Sequence, residues 1–183
     1  MFDATQVSAG QNSALPPFMT AAASGTYLGA AMTRGIDESL PAARMTDGAR
    51  FRAFVFAGRA IFTIVSGRTG TRYTFRVSAS KKYPGTHRVD LLAGPSNTSD
   101  FSYAGYVEAD RRTYKAPRRA CDAVKALQWL FHFLAVGDDA WSRVVAGQTE
   151  VWHEGRCGRC GRRLTVPQSI ATGLGPECAA RQD

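Results

Sequence analysis

Near its C-terminal end the chain reads His153-Glu154-Gly155-Arg156-Cys157-Gly158-Arg159-Cys160, and after seventeen intervening residues a third cysteine follows in Gly175-Pro176-Glu177-Cys178. Cys157 and Cys160 have the C-x2-C spacing at which one tight turn delivers two thiolates to a metal ion. Proline suits the first position of a helix, so Pro176 should place Cys178 in a first turn, where the positive end of the helix dipole favours a thiolate. Three thiolates leave one position of a tetrahedral zinc site open. His153 lies nearest in sequence and is the expected fourth ligand, with Cys121 or an open position as the alternatives. A Cys3His set keeps no coordination position for an activated water, so Zn2+ in a structural role is the expected cofactor.

Competing chemistries fit less well. A redox C-x2-C sits between the strand and helix of a βαβ unit, and no such unit is legible around Cys157. A zinc deaminase requires H-x-E followed well downstream by P-C-x-x-C, and H-E-x-x-H is absent as well. Elsewhere, His132 falls inside an apolar helical stretch and reads as a core histidine, while His87 has no evident acid partner. Asp90, Glu108 and Asp110 with Lys115 match no metal-nuclease spacing and read as solvated carboxylates. Gly67 to Gly70 reads as a hairpin turn, not a phosphate loop. The expectation is a protein that is not an enzyme.

Binding has more support. The 183-residue chain carries net charge +8, and residues 51–116 hold eleven basic against four acidic side chains, net +7. Such a field attracts phosphates or an acidic protein surface alike. Arg72 and Arg76 alternate onto one face of a strand, Arg88 follows nearby, and Tyr83, Tyr103 and Tyr106 supply rings able to stack on bases. A second basic cluster, Arg111, Arg112, Lys115, Arg118 and Arg119, leads into the longest helical stretch; basic residues are unfavourable beside a helix start, which hints at a binding role. Arg159 and Arg162 add charge at the cysteine knuckle. The expected partner is nucleic acid, DNA or RNA, or alternatively a host defence protein complex.

The elements that must position these residues follow from periodicity. Short β-rich runs are expected at Phe51 to Ala57, Ala60 to Ser66, Thr71 to Ser78, His87 to Leu92 and Phe101 to Val107, making an antiparallel sheet of about five strands. Tyr73, Phe75 and Val77 should face the core. One long helix is expected over Pro117 to Val136, with Val124, Leu127, Phe131 and Leu134 at helical spacing, and a short one from Asp138 to Val145. The fold class is therefore α+β, an antiparallel sheet packed by one long helix and followed by a small zinc-finger domain. The expected organisation is a mobile tail over 1–26, an α+β domain with a basic sheet face over 27–148, and a zinc-binding domain over 149–183; a short helix fits within Leu28 to Arg44. The N-terminus has neither a basic region nor an apolar core, so a cytoplasmic location is expected.

The motif CGRCGRRLTVPQSIATGLGPEC resembles a short C-terminal zinc domain of unknown function with the pattern C-x-x-C-G-R-x-L-T-x-P-x-S-x-x-x-G-x-G-P-x-C, which recurs in small proteins of bacteriophages, plasmids and their bacterial hosts. Leu164, Thr165, Pro167, Ser169, Gly173, Gly175 and Pro176 all match. The segment GRAIFTIVSGRTGTRYTFRV is similar to the β-rich region that precedes this domain in many phage proteins. The resemblance implies a mobile-element origin and a zinc site; it implies no established activity. The expected role is non-catalytic nucleic-acid binding as an accessory protein, and the alternative is a protein-binding inhibitor or adaptor, such as an anti-CRISPR or anti-restriction protein, acting on a host nuclease complex.

Overall fold

Asp47 opens the first described helix by accepting a hydrogen bond at Oδ1 from the Arg50 amide at 2.8 Å. Helix α1 then runs Gly48–Val55 and buries Phe51, Phe54 and Val55, whose i, i+3, i+4 spacing makes one apolar stripe. This corrects the expected strand at Phe51 to Ala57: the aromatic content suggested β structure, but the Asp47 cap and the helical period prevail. The computed structural model describes residues 44–181, so the expected tail and the expected helix before Arg44 lie outside the described residues.

Strands β1 (Arg59–Ser66), β2 (Arg72–Ala79), β3 (His87–Leu92) and β4 (Phe101–Val107) follow within a residue or so of expectation, and the two-residue β5 (Tyr114–Lys115) adds an edge. Helices α2 (Asp122–Val136) and α3 (Asp138–Ala146) come next, then strand β6 (Thr149–His153) and the short helices α4 (Pro167–Thr172) and α5 (Pro176–Ala179). The sheet is antiparallel in the order β5-β4-β3-β2-β1-β6. Helix α2 begins five residues after the expected Pro117. Asp122 in its first turn suits the positive helix end, whereas Arg118 and Arg119 would not, and they lie in an exposed bend ahead of it.

One face of the sheet is the core. Ala60, Phe62 and Ile64 of β1 and Phe75 and Val77 of β2 pack against Phe51 and Phe54 of α1, Val124, Leu127, Leu130, Phe131 and Leu134 of α2, and Trp141 of α3, with Tyr73 at the margin. The expected partnership of β2 with the long helix is thus present. Phe51 stacks on Trp141 at 4.7 Å between ring centroids and meets Phe62 edge-on at 5.1 Å. β6 pairs with β1 in the register Phe62↔His153 and Ile64↔Val151, so residues 149–153, at the start of the expected zinc-binding domain, form the last strand of the sheet. None of the described helices is long and apolar enough to cross a membrane.

Candidate metal centre and the surfaces around it

The Sγ atoms of Cys157, Cys160 and Cys178 all lie within 4.8 Å of one another. Gly161 N donates to Cys157 O at 2.9 Å, closing the C-x2-C turn, and Cys157 N donates to Arg162 O at 2.8 Å. Helix α5 starts at Pro176 and carries Cys178 to the same point, as its sequence suggests. Burial pushes the Cys157 thiol up, yet hydrogen bonds from the backbone N–H groups of Cys160, Gly175 and Arg159 and from the Cys160 thiol outweigh it and bring it down to about 7. Burial raises the Cys178 thiol, and the Cys157 and Cys160 thiols push it further, to about 11. All three cysteines are free thiols. Sulfur atoms on one tetrahedral zinc stand roughly 3.8 Å apart, so this convergence suits a shared cation, which would also relieve the mutual repulsion of three thiolates.

His153 does not join the cluster. Its ring is buried, Nε2 donates to Ile170 O at 2.7 Å and Nδ1 accepts from Gly155 N at 3.0 Å, so both nitrogens are engaged within the protein. Burial holds the imidazole below its ordinary pKa, which fits this neutral, fully hydrogen-bonded ring. Cys121, the alternative fourth ligand, also lies away from the cluster, exposed at the N-cap of α2. Among the described residues the metal-binding set is three cysteines.

The knuckle is anchored to the sheet domain through Phe54 of α1. A Cβ on Gly158 would lie 2.7 Å from both Phe54 Cδ2 and Phe54 O, and one on Gly173 would lie 2.4 Å from Phe54 Cδ2. The Phe54 ring also faces His153, centroids 5.4 Å apart. Glycine at these two positions lets the knuckle backbone lie directly on the ring.

The face of the sheet opposite α1–α3 carries the expected basic strand residues in a different state from the expected one. Asp90 is 1% exposed, and its carboxylate accepts from Arg76 Nη2 at 3.1 Å and from Arg88 Nε at 2.7 Å. The Arg76 guanidinium lies over the Phe101 ring at 4.3 Å and that of Arg88 over Tyr103 at 4.9 Å. Asp90 therefore is not a solvated carboxylate: it is the buried counter-ion that orients two guanidiniums. Arg72 is half-buried on β2, on the same face by register. Tyr103 and Tyr106 are 50% and 38% exposed there. Lys115, opposite Tyr106, pairs with Glu108 at 3.7 Å.

Between β4 and β5, Asp110 folds the turn onto itself. Its carboxylate accepts from the Thr113 hydroxyl and amide and from the Arg112 amide, which hold its carboxyl at about 2. Arg111 and Arg112 are exposed there. His87 is buried with Nε2 at 3.2 Å from Phe56 O, and His132 is exposed, contrary to its reading as a core histidine. Arg162 is exposed and Arg159 half-buried. Asp90, Phe101, Phe54 and Arg52 were not singled out from sequence as site-forming; the period-2 pairing of Arg76, Arg88 and Asp90 on one face was the available signal for the first.

A family of unknown function, DUF6011, matches residues 148–183. The match starts at β6, so it takes in the strand that closes the sheet together with the cysteine unit. No curated protein matches the chain, and no solved structure does.

Proposed function

We propose that the protein is a non-catalytic nucleic-acid-binding module, stapled by one zinc ion on Cys157, Cys160 and Cys178, that receives a single-stranded segment on its open sheet face. The observation that carries the reading is the Asp90-held pair of guanidinium–ring stacks, Arg76 on Phe101 and Arg88 on Tyr103, beside the exposed ring of Tyr106. Planar groups fixed edge to edge on a rigid sheet cost little ordering entropy on binding and offer flat surfaces to unstacked bases. Arg72 and Arg59 add positive charge on the same face by register. The expected mobile-element origin accords with such an accessory role.

Fluorescence anisotropy with labelled single-stranded and duplex oligonucleotides tests it. Single strands should bind at low salt, and Tyr103→Ala should weaken them by about 1 to 3 kcal/mol, the usual loss for one base–aromatic stack. Neutralising Arg72 should reduce the magnitude of the log–log salt slope by about 0.7, as loss of one phosphate contact to a single strand requires. A folded, metal-loaded protein with no affinity for single strands at low salt would refute the reading. An acidic surface on a host defence complex would then be the partner to seek by direct binding.

A further inference from the structure

Along one side of α1, Ala49, Arg52 and Ala53 follow at helical spacing, and with the core residue Phe56 and Ala57 just past the helix end they line an open space that the small alanines leave. That space is a half-open cavity of about 220 Å³, also lined by Arg111 of the β4–β5 turn and Arg159 of the cysteine knuckle. Three arginines thus line one small cavity. Among the described residues no carboxylate pairs with any of them. The nearest acid in sequence, Asp110, is turned into its own loop by three hydrogen bonds. Arg52 directs one nitrogen to Leu134 O, which fixes its plane and leaves its other donors. Arg111 holds its place with φ of +56°, a left-handed backbone that a non-glycine residue seldom adopts, and observed strain of this kind gathers at binding sites.

We infer that this cavity is a phosphate-binding site, with Arg52, Arg111 and Arg159 as its ligands. Like charges brought together without a counter-ion repel one another, and a phosphate group relieves that repulsion while accepting forked hydrogen bonds from each guanidinium. The cavity is smaller than the roughly 300 to 1,000 Å³ of sites that enclose drug-sized ligands, so it suits a phosphate group and not a whole nucleotide. The cysteine cluster is part of the site's construction: Arg159 lies between Cys157 and Cys160 in the turn that Gly161 N closes onto Cys157 O at 2.9 Å, so the turn that gathers the thiols also places Arg159. The site rests on the nucleic-acid reading only for where the phosphate comes from, a strand end or a free phosphate compound.

Inorganic phosphate is the probe, titrated by calorimetry into the zinc-loaded full chain. Arg111→Gln and Arg159→Gln should each weaken it about tenfold or more, as expected for the loss of a charge-assisted hydrogen bond. Arg111→Lys should retain part of the binding. Arg143→Gln, an exposed arginine outside the cavity, should change it less than about twofold, because a distant exposed charge is screened. Zinc content and melting temperature of each variant separate lost contacts from lost folding. No phosphate binding by the wild-type protein, or equal losses in all three glutamine variants, overturns the inference. In a second arm, a 5′-phosphorylated oligonucleotide that binds more tightly than its 5′-hydroxyl twin, with the difference erased by Arg111→Gln, identifies a strand end as the source. Equal binding of the two oligonucleotides, with phosphate still lost in Arg111→Gln, identifies a free phosphate compound. Phosphate binding without any oligonucleotide binding would keep this site and refute the sheet-face reading.

Discussion

Gly173 tests whether the cysteine unit and the sheet domain are one cooperative body. Its φ is +70°, and an added Cβ would meet Phe54 Cδ2 at 2.4 Å. Phe54 is fully buried in the core and has no open side to move into. Gly173→Ala therefore carries two costs, a left-handed conformation worth about 1 to 2 kcal/mol and overpacking worth about 1 to 3 kcal/mol. Gly70 is the matched control: its φ is +67° and nothing lies within 4 Å of the added carbon, so Gly70→Ala carries the first cost alone. At roughly 2 to 4 °C per kcal/mol for a chain of this size, Gly173→Ala should lower the melting temperature by on the order of 10 °C and Gly70→Ala by about half of that or less. Gly173 O accepts from Gly158 N at 3.0 Å, so displacing Gly173 also displaces the turn between Cys157 and Cys160. Competition with a chromophoric chelator should then show zinc affinity about tenfold or more weaker in Gly173→Ala and unchanged in Gly70→Ala. Equal melting shifts and equal affinities in the two variants would refute the coupling. Chelation of the metal would then be expected to unfold the cysteine unit and spare the sheet.

Metal analysis should find one zinc per chain, lost in Cys157→Ser and retained in His153→Gln, because His153 already has a partner at each nitrogen; full zinc in Cys157→Ser would exclude the cysteine site. Asp90→Ala removes two hydrogen bonds to guanidiniums that are themselves partly solvated, so the loss in a urea titration should be about 2 to 3 kcal/mol, well short of the sum for two buried charged bonds, and a loss under about 1 kcal/mol would show that Asp90 does not hold the pair. Burial, aided by Arg111, holds His87 below its ordinary pKa of 6.5 against the opposing Phe56 carbonyl. The unfolded chain then takes up the proton first, so His87's contribution is complete above about pH 6.5 and declines as the pH falls below it. His87→Gln should flatten the stability profile between about pH 6.5 and 5; an unchanged profile would show that His87 titrates alike in both states.

Strands β1 to β4 were legible as short β-rich runs bounded by turn residues, with clear alternation in β2, and the Phe75, Val77, Leu127 and Leu134 core followed from period. The first helix was not, since an eight-residue segment of Phe, Ala, Arg and Val satisfies β propensity as well as helical spacing, and only Asp47 in its capping role decides between them. β6 was hidden by its proximity to the cysteines: Thr149 to His153 alternates like a strand, but its partner β1 lies some ninety residues earlier, and such pairing is set by tertiary contact. The three cysteines were legible from spacing. His153 marks the limit of spacing: closeness in sequence says nothing of where a ring points, and the ring at the end of β6 donates to Ile170 O within the protein.

Charge shows the largest gap between count and arrangement. Eleven basic residues over 51–116 form two clusters in sequence, one on the strands and one leading into the long helix, with a field that attracts phosphates or an acidic protein surface alike. The fold divides them. Arg76 and Arg88 share a buried carboxylate and lie flat on rings, so their long-range field is reduced and their planes are what remain to offer. Arg52 and Arg111 instead converge with Arg159 of the cysteine knuckle, and among the described residues no carboxylate pairs with them, so their charge is concentrated at one small cavity. Stacking is an apolar and local interaction, whereas phosphate capture is Coulombic and weakens with ionic strength. The two surfaces should therefore respond differently to salt: affinity lost with Tyr103→Ala should change little between low and moderate salt, and affinity lost with Arg111→Gln should be largest at low salt and fall as salt rises. Parallel salt titrations of the two variants against a 5′-phosphorylated strand would assign each share of the binding energy to its surface, and an identical salt response would mean that both variants act on a single electrostatic patch.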